Sequence, residues 1–310
     1  MANFTSADVM KLREQTGVGM MDCKKALVET DGNFDEAVKY LREKGMASAA
    51  KKASRVAAEG LVKCVVAADK KSAVAVEINC ETDFVARSDS FIALIDNIAN
   101  HLLKSKATTV EAALEEKYLG DKSKTLSVLI AEATAQIGEK ISWRRFVRYE
   151  LKGRGLVASY IHMGGKIGVL CEVESAAKPE ALQELAFNLC MQIAASKPQV
   201  VGIADVDASN LDAEREILTA QAKNEGKPEA VIAKMVEGRI HKYYKEVCLL
   251  EQEYVRDSSL AVKNVIAECE KATGASIKVN KFVRYEMGEG IEKRQDTFME
   301  EISAAVKSVQ

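Results

Sequence analysis

Apolar residues recur at helical spacing within the first 45 residues of the chain. One helix face is marked by apolar positions at i, i+3, i+4 and i+7, namely Phe34, Ala37, Val38 and Leu41. We expect Gly45 to end that helix, because glycine is favoured at the C′ position. With the two apolar segments before it, this pattern predicts a three-helix unit. Such a unit is small for independent stability, and it suits a docking module.

Two of the predicted helices have capping sequences at their starts. Thr5 and Asp8 have the spacing of a capping box, and Asn33 with Glu36 is placed to cap the third helix. Residues 46–59 are rich in alanine and predict a connecting helix. Its basic residues favour a solvated face over contact with phosphate, because no aromatic residues for base stacking lie between them.

A strand-like run over residues 73–79 leads directly to Thr82-Asp83-Phe84-Val85-Ala86-Arg87. This order predicts an acid and a large aromatic residue at a surface corner. An exposed phenylalanine lowers solubility, so its presence favours insertion into a pocket of a partner. The alternative is that Phe84 folds back into the core. This segment by itself is equally consistent with both.

Several strand-like segments occur twice along the chain. The first two pairs are 95 positions apart and the last pair is 136 apart, so the second copy carries about 41 additional residues. Each copy has the order strand, strand, helices, strand, which predicts an α+β fold. The pairs are residues 60–62 with 155–157, 74–78 with 169–173, and 145–150 with 281–286.

The second copy bears on the role of Phe84. After its equivalent strand the chain continues as Ser175-Ala176-Ala177, without a Thr-Asp-Phe-Val segment. Because the repeated fold does without this segment, the core interpretation of Phe84 is weakened and the partner-binding one is strengthened.

The additional residues of the second copy have helical patterns. Residues 211–224 and 228–245 predict two helices around a short Gly-Pro turn, which makes an antiparallel helical hairpin. Its apolar face serves either the hairpin itself or a partner. A last amphipathic helix is predicted from about Asp296, after a glycine-rich break at residues 287–290.

Composition excludes several classes of function. The net charge of −2 provides no global attraction to nucleic acid or to an anionic membrane, and no run of about 18 apolar residues predicts a membrane span. The N-terminal residues lack the pattern of a signal or transit peptide, and the seven scattered cysteines suit reduced thiols, so we expect a cytoplasmic protein. None of the three histidines has the spacing of a metal-ligand set, and a zinc site is not expected.

Three other functions are considered from the residues alone. An enzyme would use Cys80 or Cys23 as its nucleophile, but no supporting base motif is present. A scaffold would rely on the N-terminal unit and would leave the repeat and Phe84 unexplained. An RNA-binding protein would use one of two basic groups, which are Lys51, Lys52 and Arg55, or Arg144, Arg145 and Arg148.

Five segments in order resemble the bacterial type of the translation elongation factor Ts family. Any one of these short motifs is common in unrelated sequences, but all five in this order on this repeat organisation are highly specific. The match covers essentially the whole chain. The segments are residues 12–27 (LREQTGVGMMDCKKAL), 79–87 (NCETDFVAR), 226–228 (GKP), 236–239 (VEGR) and 288–293 (GEGIEK).

The resemblance implies an α+β fold with an N-terminal three-helix module similar to ubiquitin-associated domains. It also implies two repeated α+β core subdomains, an inserted antiparallel helical hairpin and a C-terminal helix. On this sequence the expected divisions are 1–55 for the N-terminal module with its linker, 56–153 for the first core subdomain, 154–204 with 246–286 for the second, 205–245 for the hairpin, and 287–310 for the C-terminal module.

The resemblance further implies guanine-nucleotide exchange on elongation factor Tu, without covalent chemistry and without a cofactor of this chain. The partner would carry GDP or GTP and the magnesium ion, which the family displaces from the side of the nucleotide site. The implied residues are Thr82, Asp83, Phe84 and Val85 for displacing Mg²⁺, Arg13, Met20 and Met21 for binding through the N-terminal module, and His162 for binding through the core.

The resemblance leaves a homodimer open, and no direct binding of nucleic acid or membrane is expected. The chain departs from the family at Arg294-Gln295 and in the tail from Ala304. These departures affect the detailed C-terminal contacts and not the implied function.

Overall fold

The computed structural model describes residues 3–16, 18–226 and 228–292. Gly17, Lys227 and the terminal helix predicted from about Asp296 lie outside the described residues. Within the described residues the fold is α+β, as predicted, and none of the helices there is both long and apolar enough to cross a membrane.

The helices are α1 (Ser6–Thr16), α2 (Met20–Glu29), α3 (Phe34–Lys52), α4 (Asp83–Ala86), α5 (Asp89–Leu102), α6 (Val110–Leu114), α7 (Leu126–Ile137), α8 (Pro179–Ser196), α9 (Ala208–Asn224), α10 (Glu229–Val247) and α11 (Val262–Thr273). The strands are β1 (Glu59–Val66), β2 (Ser72–Cys80), β3 (Ser142–Glu150), β4 (Gly155–His162), β5 (Ile167–Ser175), β6 (Glu253–Tyr254), β7 (Asp257–Ala261) and β8 (Ile277–Glu286). Two short 3₁₀ turns lie at Ile203–Asp205 and Leu249–Glu251.

Helices α1 to α3 pack around a small apolar core, and both predicted caps are confirmed. The Thr5 backbone N–H donates to Asp8 Oδ2 at 2.7 Å, and the Asp8 N–H donates to Thr5 Oγ1 at 3.3 Å. Asn33 Oδ1 accepts from the Glu36 N–H at 3.1 Å. Each cap satisfies backbone donors that the first turn of a helix leaves unpaired.

The prediction that Gly45 ends the third helix is wrong. Helix α3 continues through Gly45 to Lys52, so the first part of the predicted connecting helix belongs to α3, and residues 53–58 are not helical. The physical reason is packing of α3 on α7, because a Cβ on Gly45 would lie 3.6 Å from the Ala135 Cβ. Gly45 is buried inside this helix contact, so the tertiary packing continues the helix through it.

Two three-stranded antiparallel sheets have the same arrangement, with orders β1-β2-β3 and β4-β5-β8. The central strand of each has an irregularity at the equivalent place, between Glu77 and Ile78 and between Glu172 and Val173. Gly60 and Gly155 begin the first strand of each sheet with φ of 142° and 132°. A Cβ on either would lie within 2.2 Å of a carbonyl oxygen on the central strand.

The sheets meet face to face, and helices cover their outer faces. Alternate residues of β2 point to the two sides, so Val74 and Val76 pack with α5 and α7, while Ala73 and Ala75 face the second sheet. Leu170 of β5 faces the first sheet in the same way, and its neighbours on β5 pack against α8 and α11. Before Glu77 and Glu172, both central strands are therefore apolar on both faces, unlike the alternating pattern of a half-exposed strand.

The repeated strand sequence has the same structural role in both sheets. Arg148 of β3 donates to the carbonyl of Ser105, just beyond α5, and Arg284 of β8 donates to the carbonyl of Ala194 in the last turn of α8. A cation at the C-terminal end of a helix is favoured by the helix dipole and by the unpaired carbonyls there. The motif thus attaches one long helix to each sheet.

The two sheets also contact each other reciprocally through this motif. The Arg145 guanidinium lies 4.2 Å from the centre of the Tyr285 ring, and the Lys281 ammonium lies 4.4 Å from the centre of the Tyr149 ring. Each cation comes from one copy of the motif and each ring from the other. These cation–π contacts join the last strands of the two sheets.

Helices α9 and α10 pack along an apolar seam, and the Arg239 guanidinium bonds the Glu225 carboxylate across it at 2.8 Å. The seam is formed mainly by Leu218, Ala222, Ile232, Val236 and Ile240. The apolar faces of the two helices are therefore largely buried against each other.

Glu77 is a fully buried carboxylate at the edge where the two sheets meet. Its Oε2 accepts from Arg145 Nε at 2.6 Å, and its Oε1 accepts from Arg144 Nη1 at 3.1 Å and from the Gly288 N–H at 2.8 Å. The bond to Gly288 holds the turn that follows β8 against the first sheet. Glu77 therefore sets where the chain leaves the core toward its C-terminus.

We predict that Glu77→Gln lowers the free energy of unfolding by about 3–5 kcal/mol, because it removes the buried counter-charge of two partly buried arginines. The matched change is Glu172→Gln, at the equivalent position of the second sheet. Glu172 accepts from Asn280 Nδ2 at 3.1 Å and lies 3.4 Å from a half-exposed Lys281 ammonium. We expect this control to cost about 1 kcal/mol. Urea unfolding followed by circular dichroism measures both, and equal losses would contradict the assigned role of Glu77.

Candidate functional site

Phe84 lies on the one-turn helix α4, directly after β2, and 84% of its surface is exposed. The residues after it hold the turn to the core, because Ala86 is buried and Val85 packs against the α5 and α7 side of the first sheet. The alternative that Phe84 folds back into the core is therefore wrong. The turn is attached on one side and presents a large aromatic ring on the other.

Hydrogen bonds within the turn define its shape. Thr82 Oγ1 caps α4 by accepting from the Val85 N–H at 3.3 Å, and Ser88 Oγ donates to the Val85 carbonyl at 2.7 Å. Asp83 and Arg87 form an exposed ion pair at 2.9 Å across the same turn. We call residues 81–88 the Phe84 segment.

A carboxylate from another part of the chain binds the start of the Phe84 segment. Glu139 Oε2 accepts from the backbone N–H groups of Glu81 and Thr82, both at 3.0 Å, and its Oε1 accepts from Thr82 Oγ1 at 2.6 Å. Glu81 in turn accepts from the Lys140 N–H at 2.6 Å and from Arg55 Nη1 at 3.2 Å. The two carboxylates join the β2–α4 and α7–β3 connections.

The sequence interpretation missed Glu139, although the repeat contained a signal for it. The position equivalent to Thr82 in the second copy is Ala177, and the position equivalent to Glu139 is Ala275. The Thr82 hydroxyl and the Glu139 carboxylate are thus both present in the first copy, and both are replaced by alanine in the second. Comparing the copies for polar residues that appear and disappear together would have found the pair.

The other site residues implied by the resemblance are all at the surface, in different parts of the fold. Arg13 is exposed on α1, while Met20 and Met21 begin α2, where 76% of Met21 is exposed. His162 ends β4 in the second sheet, and its Nδ1 is 2.9 Å from Tyr160 Oη. A partner that touches all of these and the Phe84 segment needs an extended surface.

The thiols considered as nucleophiles are both buried. Burial raises the pKa of Cys80 to about 12, with smaller contributions from the negative charges of Glu139 and Glu59. Burial also raises the pKa of Cys23. A raised pKa keeps the thiol protonated near neutral pH, which removes the nucleophilic thiolate. The enzyme alternative therefore has no support from these residues.

The four arginines considered for RNA binding have partners within the protein. Arg144 and Arg145 bind Glu77, Arg148 binds the Ser105 carbonyl, and Arg55 binds Glu81. A guanidinium already bound to protein oxygens is a poor phosphate ligand, so this alternative is also weakened.

Comparison with known proteins identifies the family. Residues 81–289 match the family model described as elongation factor TS. The chain is 52% identical over 300 residues to elongation factor Ts of Clostridium botulinum (strain Alaska E43 / Type E3), across 97% of this chain and 98% of that protein. The chain belongs to the elongation factor Ts family.

Other family members are similar over the same extent. Elongation factor Ts of Clostridium perfringens (strain SM101 / Type A) is 51% identical over 300 residues, covering 97% of this chain and 98% of that protein. Elongation factor Ts of Clostridium tetani (strain Massachusetts / E88) is 51% identical over 299 residues, covering 96% and 98%. The similarity therefore includes the three N-terminal helices, which precede the region matched by the family model.

We predict that Cys80 resists alkylation in the folded protein at pH 8. With a pKa of about 12, only about one ten-thousandth of this thiol is ionised at that pH. Because the pKa is raised, the thiolate fraction grows with pH and becomes large only near pH 12. Labelling with iodoacetamide followed by peptide mass spectrometry measures the rate, with the urea-unfolded chain as the control. Rapid native labelling of Cys80 would show an activated thiol and revive the enzyme alternative.

Proposed function

We propose that this protein is a guanine-nucleotide exchange factor for elongation factor Tu. Membership of the elongation factor Ts family supports the proposal, and the exposed ring of Phe84 on an attached turn is the structural observation that carries it. The protein acts by binding and performs no covalent chemistry. It has no cofactor of its own, and the partner carries the guanine nucleotide and Mg²⁺.

Phe84 supplies binding energy at the place where the nucleotide site must change. Burying a phenylalanine side chain contributes roughly 1.5–3 kcal/mol. A G protein holds its nucleotide with backbone N–H groups around the phosphates and with a magnesium ion that bridges phosphate oxygens. Insertion of the ring moves the partner's backbone there, and loss of the ion removes the largest counter-charge of the phosphates.

Asp83 is available to the partner at little cost. Its ion pair with Arg87 is exposed on both sides, and exposed pairs of this kind contribute about 0–1 kcal/mol. Docking exchanges this weak contact for contacts with the partner. Thr82 and Val85 support the turn that carries Asp83 and Phe84. Thr82 caps its helix, and Val85 packs it against the core.

Contacts outside the Phe84 segment hold the two proteins together during exchange. We assign Arg13, Met20 and Met21 to one contact surface on the N-terminal helices, and His162 to another on the second sheet. Methionine side chains are flexible and polarisable, and they adapt well to a partner's surface. Binding is linked reciprocally to the nucleotide, so a factor that weakens nucleotide binding is itself bound less tightly once nucleotide returns.

We predict that Phe84→Ala slows the release of GDP from elongation factor Tu by about 10-fold to 100-fold. The estimate is the burial energy of the ring converted at 1.4 kcal/mol per factor of ten. Release of a fluorescent GDP analogue measures the rate over a range of factor concentrations. The matched control is Leu119→Ala, which also removes an exposed apolar side chain, 47% exposed, but lies in the α6–α7 connection. We expect the control to keep the wild-type rate.

Two other results would change the proposal. Fast release by the wild type and by Phe84→Ala alike would keep the exchange function and remove Phe84 from it. No acceleration by the wild type would contradict the proposed function itself.

A further inference from the structure

The orientation of the Phe84 segment depends on one side chain from a different connection. Helix α7 ends at Gly138, whose φ of 87° is in the left-handed region, and the chain then turns into β3. Glu139 follows that turn at once, and its carboxylate reaches the end of β2. Its three hydrogen bonds to Glu81 and Thr82 are all between 2.6 and 3.0 Å.

These hydrogen bonds act on the atoms that set the direction of α4. The Glu139 carboxylate accepts hydrogen bonds from two successive backbone N–H groups that precede α4, and from the hydroxyl of Thr82, the N-cap of α4. The same hydroxyl oxygen accepts from the Val85 N–H, so Glu139 orients the atom that caps α4. Because α4 is one turn long, its cap largely determines its direction.

The contact is also supported from the opposite side. The Glu81 carboxylate accepts a hydrogen bond from the Lys140 N–H. This bond joins the same two connections, β2–α4 and α7–β3, that Glu139 joins. Lys140 Nζ donates to the Arg55 carbonyl at 2.8 Å, which adds the segment before β1. Three separate parts of the chain are therefore linked at the base of the Phe84 segment.

We propose that Glu139 is a positioning residue for Phe84, an inference that rests on the exchange function proposed above. Glu139 does not need to touch the partner, because it acts through Thr82. Without its carboxylate the Glu81 and Thr82 N–H groups lose their partners and the segment samples other directions. Ordering the segment then has to occur after docking, as Phe84 enters the nucleotide site, and this opposes exchange.

The test compares Glu139→Ala with Glu139→Gln. Glutamine keeps one oxygen that accepts from both N–H groups, and its NH₂ group donates to Thr82 Oγ1, whereas alanine removes all three bonds. Glu150→Ala is the matched control, since it removes an exposed carboxylate, 63% exposed, from the far end of β3. Thermal unfolding checks that each variant is folded, and Thr82→Ala replaces Glu139→Ala if the latter is not.

Two measurements are made on each full-length variant. Amide hydrogen exchange of residues 81–88 is measured on the protein alone. GDP release from elongation factor Tu is measured over a range of factor concentrations, to separate the maximal rate from the half-saturating concentration. We expect Glu139→Ala to speed amide exchange at Glu81 and Thr82 at least tenfold and to lower the maximal release rate about 5-fold to 20-fold. The half-saturating concentration should change less than threefold, and Glu139→Gln and Glu150→Ala should stay near wild type.

Combining Glu139→Ala with Phe84→Ala separates positioning from a general loss of structure. If Glu139 acts through Phe84, elongation factor Tu releases GDP as slowly with the double variant as with Phe84→Ala alone. Multiplicative effects, or wild-type release by Glu139→Ala, would overturn the proposal. If the wild-type factor does not accelerate GDP release from elongation factor Tu, the exchange function is contradicted. Amide exchange still decides whether Glu139 orders the segment, and unchanged exchange in Glu139→Ala would overturn that as well.

Discussion

The packing of two sheets against each other is the constraint on which the rest of the structure depends. Their facing sides carry small and apolar residues, including Ala73, Ala75 and Leu170, and Gly168 lies so close to the first sheet that a Cβ there would meet Val62 Cγ1 at 2.4 Å. With the inner faces buried in this way, the long helices must cover the outer faces. The connections at the sheet ends remain at the surface, and the Phe84 segment is one of them.

A buried charge is tolerated at the edge of this packing because its oxygens are bonded. Glu77 sits where the sheets meet, with two arginines and a backbone N–H as its ligands. Burying a carboxylate is unfavourable unless its oxygens are fully bonded. The equivalent Glu172 has a weaker set of partners, so the two halves of the repeat differ at this site. The difference coincides with the place where the chain leaves the core after β8.

The Phe84 segment combines an anchored base with an exposed tip. Val85 and Ala86 pack into the core, and Glu139 and Thr82 fix the direction of the turn. The Phe84 ring is therefore exposed to water on a rigid support. Exposing a phenylalanine is unfavourable in the free protein, and the energy is recovered when a pocket covers the ring. Placing an unfavourable residue on an ordered support suits insertion into a partner, because little order has to be created on binding.

Much of this organisation was determined by the sequence alone. The period of apolar residues predicted the helices at 34–41 and in the hairpin, and the caps at Thr5 and Asn33 followed from side chains within one turn. The repeat of residues 145–150 at 281–286 predicted two related strands. These features depend on neighbours close in sequence, or on patterns that appear twice, and both are visible without coordinates.

The tertiary structure decided what depends on residues far apart in the chain. Gly45 resembles a helix stop, but it is buried against Ala135 on α7, and this tertiary contact outweighs the local tendency of the helix to end. The exposure of Phe84 depends on how α4 leaves β2, and that direction is set by Glu139, 57 residues after Thr82. A hydrogen bond between such distant positions leaves no periodic trace in the sequence. The chain's pattern determined the elements and their repetition, and only the folded contacts determined which side chain holds the turn and which is left for a partner.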